Sequence, residues 1–371
     1  MIYLDYAANT PADPAVLDAF CQTERRFIGN PNAAHPAGQA ARAEMARVTD
    51  SIASLLNVSP QEIIYTSGAS ESNNLAIKGM VQPGRHIITT PLEHASVAGA
   101  LSALGRQGCA VDVVDVRRDG TVDIEHLHTL LRQDTALVCV CAVDSELGAV
   151  QPIAEIAELL QGYPHCRLHV DATQAVGRIA PIWRGADTVS LAPHKFYGLN
   201  GCGLLLKKKN LALEPLIHGG GSTTPYRSGT PALELAVSAE TALRLALENQ
   251  PQRTARVKAL NQQLRAGLSG YPAVCFNSPD DAVPNILNLS VRGVKGTVFQ
   301  RALASYGVCV SVKSACSTDG APSQAVYAVS RDRRNALSSW RISLSHLTTE
   351  AEIAAFLEIF QRCYQELVPQ G

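Results

Sequence analysis

Two polar side chains that could take part in one reaction follow predicted strands of this chain. Asp171 ends the apolar run Arg167–Asp171, and Lys195 follows the run Thr188–Leu191 just ahead of a glycine-rich turn. A buried lysine loses its proton readily and can form a Schiff base with a carbonyl group. A buried aspartate needs a partner, which could be a pyridinium N–H or the first turn of a helix. Because Asp171 lies about one strand–helix unit upstream of Lys195, both side chains could reach one pocket.

A turn rich in small residues, Thr66–Asn74, follows another predicted strand and opens a helix. Small residues let backbone N–H groups approach an anion, and a helix N-terminus favours a phosphate. The Ser70 hydroxyl adds a further donor. The same residues are also typical of a simple turn that caps a helix, so this segment alone leaves phosphate binding open.

A cysteine lies among small and polar residues near the C-terminal end of the chain. Cys316 stands in the segment Val310–Gly320, which has the composition of a loop. An accessible thiol in such a setting can act as a nucleophile, although it could also be an incidental surface cysteine.

Short apolar runs alternate with helical patterns from residue 63 onwards. This alternation predicts an α/β fold with a mainly parallel sheet. The predicted strands are Ile63–Ser67, His86–Thr90, Val111–Val116, Leu137–Val143, Arg167–Asp171, Thr188–Leu191 and Gly203–Leu206. An earlier helix is predicted from apolar residues that recur every three or four positions, namely Ala41, Met45, Val48, Ile52 and Leu55.

The C-terminal part of the chain has a different pattern. Residues 231–268 favour helices, and a smaller α+β unit follows, whose last helix begins with a capping box at Thr349 and Glu352. The stretch Asn249–Arg253 has the composition of a linker. We therefore expect a large domain over residues 13–250 and a small domain formed by 1–12 and 251–371.

Composition narrows the class of protein. The 371 residues carry a net charge of −1, so no basic surplus favours direct nucleic-acid binding. The N-terminus has neither a basic region nor a long apolar run, and we expect no secretion signal and no membrane span. The ten cysteines are scattered and form no CxxC pair, which favours free thiols in the reducing cytoplasm.

The order of several short motifs resembles the cysteine desulfurases of the class V aminotransferase group, which are fold-type I pyridoxal-phosphate (PLP) enzymes. The resemblance runs nearly from end to end. It rests on Tyr3–Pro11, Gly29–His35, Glu93-His94, Asp171–Gln174, His194-Lys195, Arg227–Thr230, Ser314–Cys316 and Arg341–Ser343. It implies an α/β large domain with a mainly parallel seven-stranded sheet and a smaller α+β C-terminal domain.

The resemblance also implies a role for each matching residue. Lys195 would bind PLP covalently and later move the Cα proton of the substrate, and Cys316 would be the sulfur-accepting nucleophile. The remaining cofactor contacts would be made by Asp171 at the ring nitrogen, Gln174 at the ring oxygen, His94 on the ring face, and Ala69, Ser70 and His194 at the phosphate. Thr230 would reach the phosphate of a neighbouring subunit in a homodimer, Arg341 would grip the substrate carboxylate, and Asn30 would line the same pocket.

The implied reaction converts L-cysteine to L-alanine and leaves a persulfide on Cys316, from which an acceptor protein collects the sulfur. Residues 314–322 are expected to form a mobile loop, as in the desulfurases with the longer catalytic loop. Two alternatives stay open. One is another PLP enzyme of this fold, such as a selenocysteine lyase or a C–S lyase, and the other is a non-catalytic sulfur-relay subunit.

Some positions depart from the family pattern. Asp144-Ser145 stands where the family usually has two asparagines, so Ser145 cannot reproduce every contact near the ring oxygen and the substrate carboxylate. Ala192 replaces a phosphate-binding serine, Lys313 replaces a glycine, and Ser345 replaces another glycine. These departures suggest a specialised branch of the family. The short C-terminus favours a dedicated sulfur donor, for nucleic-acid thiolation or phosphorothioation or for a biosynthetic pathway, over general iron–sulfur assembly.

Overall fold

The computed structural model describes residues 1–312 and 321–368. These residues form twelve β-strands and twelve α-helices. The strands are β1 Ile2–Tyr3, β2 Ile63–Thr66, β3 His86–Thr89, β4 Ala110–Val113, β5 Thr135–Cys141, β6 Arg167–Asp171, β7 Thr188–Leu191, β8 Gly203–Lys207, β9 Val274–Phe276, β10 Ile286–Val291, β11 Val308–Cys309 and β12 Ser339–Ser343. The helices are α1 Pro14–Arg26, α2 Pro36–Leu56, α3 Ala69–Met80, α4 Ala95–Gly105, α5 Ile124–Leu130, α6 Ile153–Leu159, α7 Leu233–Glu248, α8 Gln250–Leu268, α9 Gly296–Ser305, α10 Gln324–Ser330, α11 Arg333–Ser338 and α12 Glu350–Leu367.

Seven strands form the central sheet in the order β2-β8-β7-β6-β5-β3-β4. The five strands from β7 to β4 are parallel, whereas β8 runs antiparallel to both of its neighbours. The predicted mainly parallel seven-stranded sheet is therefore confirmed. Since the carboxyl ends of parallel strands share one edge, Asp171 at the end of β6 and Lys195 just after β7 come together there.

Helices cover the sheet and bury its apolar side chains. The predicted face of α2 is confirmed, because Ala41, Met45, Val48 and Ile52 are buried in the main core. Helix α7 packs against both α1 and α2, and α3 packs against α4. This packing fixes the helices whose N-termini face the carboxyl edge of the sheet.

A second core belongs to the C-terminal part of the chain. Strands β9, β10 and β12 form an antiparallel sheet, against which α8, α9 and α12 bury apolar side chains. The rings of Phe299 and Trp340 stack with their centroids 5.3 Å apart. The predicted capping box is present, since the Thr349 hydroxyl accepts from the Glu352 N–H and the Glu352 carboxylate accepts from the Thr349 N–H.

The N-terminal residues pack on this second core. Strand β1 pairs in parallel with β11, and Leu4 is fully buried in the second core. The division at residue 250 stays a prediction, but the expected linker there differs from the structure. Helix α7 ends at Glu248 and α8 begins at Gln250, so Pro251 starts a helix rather than a flexible connection.

None of the helices in the described part of the chain is both long enough and apolar enough to cross a membrane.

Candidate active site

A cavity of about 400 Å³ opens at the carboxyl edge of the parallel strands. Nine of the residues singled out from the sequence line it: Ala69, Ser70, His94, Ser145, Asp171, Gln174, His194, Lys195 and Arg341. The other lining residues are Ala7, Ala8, Ser67, Gly68, Glu71, Leu92, Cys141, Val143, Thr173, Asn200 and Gly201. The structure thus brings most of the predicted site together in one chain.

Lys195 is held by a tight turn that follows β7. Residues Pro193–Lys195 form one 3-10 turn, and Tyr197 two residues later has the left-handed φ of 70°. The Lys195 amine donates to the carbonyl of Ala7 at 2.9 Å and also to the carbonyl of Ala8. Burial is the main cause that lowers the pKa of Lys195 to about 8, and the nearby charges of Arg341 and Arg178 lower it further. This amine is therefore well suited to act as a nucleophile or a base near neutral pH.

Asp171 is buried at the end of β6, with 5 % of its surface exposed. One carboxylate oxygen accepts from the backbone N–H of Thr173 at 3.0 Å, and the other accepts from the Asn73 amide at 2.8 Å. Each carboxylate oxygen has a second lone pair, so Asp171 keeps the capacity to accept from a ligand in the cavity.

His94 lies at the N-cap of α4. Its Nδ1 accepts from the backbone N–H of Ser96 at 3.1 Å and lies 2.8 Å from the Ser96 hydroxyl. Since Nδ1 accepts, the proton of the neutral ring is on Nε2. Burial lowers the pKa of His94, so its ring is neutral and can stack on a planar ligand.

The start of α3 provides an anion site. The first N–H groups of a helix have no intrahelical partner and point out of its N-terminus, and here Ala69 and Ser70 are the first two residues. A Cβ atom on Gly203 of β8 would come within 2.5 Å of the Gly68 backbone, so this close approach requires glycine at 203. His194 also lines the cavity, and burial lowers its pKa to about 4, which makes it a neutral donor there.

Gln174 connects the cavity to a buried cation. Its amide nitrogen donates to the Ala7 carbonyl at 3.0 Å, and its amide oxygen accepts from the guanidinium of Arg178. Burial lowers the pKa of Arg178 to about 10, which still leaves it charged at neutral pH. The second N–H of the Gln174 amide is left for a ligand.

Arg341 is 2 % exposed and reaches the cavity from β12. Its guanidinium donates to the Asp5 carboxylate at 2.8 Å and to the Ser145 carbonyl at 2.7 Å. Its Nε atom is buried without a hydrogen-bond partner among the described residues. Asp5 thus orients this cation, and donors of its planar fork remain for a ligand carboxylate.

The departures from the family pattern have structural consequences. The Asp144 side chain is 1 % exposed and accepts from the backbone N–H groups of Glu146 and Leu147. Burial, reinforced by the charge of Glu146, raises the pKa of Asp144 to about 7. Ser345 replaces a glycine, and its hydroxyl bonds to the Tyr197 hydroxyl at 2.6 Å, which ties the segment after β12 to the turn after Lys195.

The structure does not place three of the predicted site residues, Asn30, Thr230 and Cys316, in the described wall of the cavity. Asn30 and Thr230 are exposed, and neither belongs to the described wall of the cavity. Cys316 lies outside the described residues, as do Lys313 and most of the segment 314–322 that we expect to be mobile. The roles of all three site residues stay predictions.

Four side chains of the site were missed by sequence reasoning. Asp5, Asn73, Ser96 and Arg178 each contact a predicted site residue. Asp5 and Asn73 lie within the motifs Tyr3–Pro11 and Thr66–Asn74, but their partners are 336 and 98 residues away in the chain. Ser96 and Arg178 had a local signal, since they follow His94 and Gln174 by two and four residues.

Comparison with known proteins agrees with this geometry. The family model for aminotransferase class-V matches residues 2–356. A protein of Dechloromonas aromatica named cysteine desulfurase IscS is 37 % identical, over 95 % of this chain and 89 % of that protein. The solved structure of a NifS-like protein superimposes with a TM-score of 0.91 at 32 % identity, covering 99 % of this chain and 100 % of that one. A structure described as SspA in complex with cysteine has a TM-score of 0.81 at 30 % identity, covering 94 % and 100 %. The chain therefore belongs to the class-V aminotransferase family, within which several relatives that match nearly the whole chain are named cysteine desulfurases.

Proposed function

We propose that this chain removes sulfur from L-cysteine with the help of PLP and passes it, through a persulfide on Cys316, to an acceptor protein. The observation that carries the proposal is the convergence of Lys195, Asp171 and Arg341 on one buried cavity. An amine of lowered pKa, a buried carboxylate and a guanidinium are together the groups that a PLP-dependent reaction on an amino acid requires.

The residues of the cavity fit PLP. The N-terminus of α3 and neutral His194 suit its phosphate, Asp171 suits its protonated ring nitrogen, and neutral His94 suits its ring face. The Thr173 hydroxyl is buried on the cavity wall without a hydrogen-bond partner in the described part of the chain, as expected where a polar ligand belongs. Bound PLP supplies an electron sink for the negative charge that develops at the substrate Cα.

The substrate is held and activated by the chain's own groups. Arg341 binds the carboxylate of L-cysteine, and this contact fixes the Cα–H bond relative to Lys195. With its pKa lowered to about 8, Lys195 accepts the Cα proton and later returns a proton to the alanine skeleton. Both steps take place in a buried site, where the carbonyls of Ala7 and Ala8 orient the amine.

Cys316 receives the sulfur. Its thiolate attacks the substrate sulfur, so a new S–S bond forms while the Cβ–S bond of the substrate breaks. The electron pair of the broken bond stays on the substrate Cβ, which takes up a proton and leaves as L-alanine. No external oxidant is needed, because the electron pair of the broken Cβ–S bond stays with the substrate carbon and the sulfur leaves without it.

Two further parts of the proposal concern partners. Thr230 and Asn30 are exposed in a single chain, which is consistent with a homodimer in which each subunit completes its partner's site. The persulfide is passed to a separate acceptor protein, whose pathway, whether nucleic-acid thiolation, phosphorothioation or iron–sulfur assembly, is left open.

The proposal is tested with wild-type protein, Cys316→Ala, and Cys21→Ala as a matched control at an exposed cysteine. Each protein is loaded with PLP and mixed with L-cysteine, and alanine and the mass of the Cys316 peptide are measured. Wild type and Cys21→Ala should form alanine and gain one sulfur atom on Cys316, whereas Cys316→Ala should bind PLP but form no alanine. Sulfide release at the full rate by Cys316→Ala would indicate a C–S lyase instead. A wild-type protein that binds no PLP would overturn the proposal altogether.

A further inference from the structure

Asn73 is a fully buried side chain in the second turn of α3 that bonds to three other polar groups. Its amide nitrogen donates to Asp171 at 2.8 Å and to the Ser96 hydroxyl at 2.9 Å. Its amide oxygen lies 3.0 Å from Nε2 of His169, a residue that is also fully buried. One amide therefore uses both of its N–H groups and its oxygen within the protein.

The charge of Asp171 fixes the orientation of this amide. If the amide were rotated by half a turn, its oxygen would face the Asp171 carboxylate, and two acceptors would meet in a buried place. The observed orientation requires that His169 donates from Nε2, so its Nδ1 accepts from the Thr188 hydroxyl at 2.8 Å. Burial lowers the pKa of His169 to about 4, in keeping with this neutral tautomer.

The second N–H of Asn73 continues towards His94. Because the Ser96 hydroxyl accepts from Asn73, its own hydrogen is free to donate to Nδ1 of His94 at 2.8 Å. The same amide thus supports the carboxylate expected at the ring nitrogen and the imidazole expected on the ring face. Asn73 itself lies in α3, and the N-terminus of this helix forms the expected phosphate site.

We infer that Asn73 is a positioning residue for PLP, which it serves chiefly by holding the Asp171 carboxylate in place and also, through Ser96, by fixing the tautomer of His94. This inference rests on the proposed function. Asn73 does not touch the cofactor itself, since it is absent from the described wall of the cavity. The Asn73 amide fixes the direction of one Asp171 oxygen, and a carboxylate held in this way is already placed to accept from the ring nitrogen of PLP.

The expected effect is on cofactor affinity. Asn73→Leu keeps a similar volume but removes the donor to Asp171, and loss of a hydrogen bond to a charged group corresponds to a rise of roughly 10- to 100-fold in the dissociation constant of PLP. If Asn73 acts through Asp171, the same substitution in an Asp171→Asn protein should change the constant by less than about threefold.

The test measures PLP binding to the apoproteins of wild type, Asn73→Leu, Asp171→Asn and the double variant, by the absorbance of bound PLP. Asn261→Leu serves as the matched control, because Asn261 is a buried asparagine in α8 and lies outside the described wall of the cavity. It should lower stability to urea but leave the dissociation constant of PLP within about twofold of the wild-type value. If Asn73→Leu does not fold, Asn73→Ser replaces it in both backgrounds.

Two results would overturn the inference. One is an unchanged PLP affinity in Asn73→Leu, and the other is an equal loss of affinity with and without the Asp171→Asn substitution, which would show that Asn73 does not act through Asp171. Either result can occur while wild-type protein binds PLP and forms alanine, so failure of this inference is distinguishable from failure of the proposed function.

Discussion

The buried carboxyl of Asp144 should make the stability of this protein depend on pH. Burial raises the pKa of Asp144 from its ordinary 3.8 to about 7 in the folded state. Below 3.8 the folded and unfolded states both hold the proton, and the group contributes nothing to the pH dependence. Between the two pKa values only the folded state holds it, so the free energy of unfolding falls as the pH rises. Above about 7 the loss is complete.

The size of this effect follows from the separation of the two pKa values. Each pH unit corresponds to about 1.4 kcal/mol, so an ionised Asp144 lowers the free energy of unfolding by about 4 kcal/mol. Asp144→Asn keeps an oxygen that can accept from the N–H groups of Glu146 and Leu147, but it carries no charge. The variant should therefore be more stable than wild type, and its advantage should grow by about 3 kcal/mol between pH 5 and pH 8.

The assay is urea unfolding of the apoproteins at pH 5 and pH 8, with stability taken from the midpoint and the slope of the transition. Asp281→Asn is the matched control, because it removes an exposed carboxylate and should show no such growth. If the difference between Asp144→Asn and wild type is the same at both pH values, the reasoning about the buried carboxyl is refuted.

Two further predictions concern the cavity. Arg341→Lys replaces a two-point contact with a single ammonium group, so the KM for L-cysteine should rise by about tenfold or more while kcat changes less. Steady-state alanine formation measures both constants. A KM within about threefold of the wild-type value would contradict the role assigned to Arg341. The rate at which the apoprotein captures PLP should rise with pH and level off above about 8, because only the neutral Lys195 amine attacks an aldehyde. Stopped-flow absorbance measures this rate, and a midpoint near the ordinary lysine pKa of 10.5 would disprove the lowered value.

Features of the fold that depend on local sequence could be predicted. The strands β6 and β7 were located to the residue, because apolar residues occupy every second position in both of them. The capping box of α12 was also found, since both of its members lie within four residues. The expected linker at Asn249–Arg253 was wrong because Pro251 fits the first turn of a helix as well as it fits a loop.

The candidate site could be predicted only in part. Lys195 and Asp171 follow predicted strands, so the common edge of a parallel sheet brings them together. The contact between Arg341 and Asp5 joins residues 336 positions apart, and no local pattern indicates such a pair. The same holds for Asn73, whose three polar contacts are with two other elements of the fold, β6 and α4.

The pairing of the first strand with a late strand has a consequence for how the protein is made. Ile2 and Tyr3 are translated some three hundred residues before their partners Val308 and Cys309. Ala7 and Ala8, which hold the Lys195 amine, follow directly on this strand. The amine is therefore oriented only once nearly the whole chain has been translated. We therefore expect a chain to capture PLP only once it has been translated at least as far as Cys309, and a fragment that ends before β11 should not retain this reactive aldehyde.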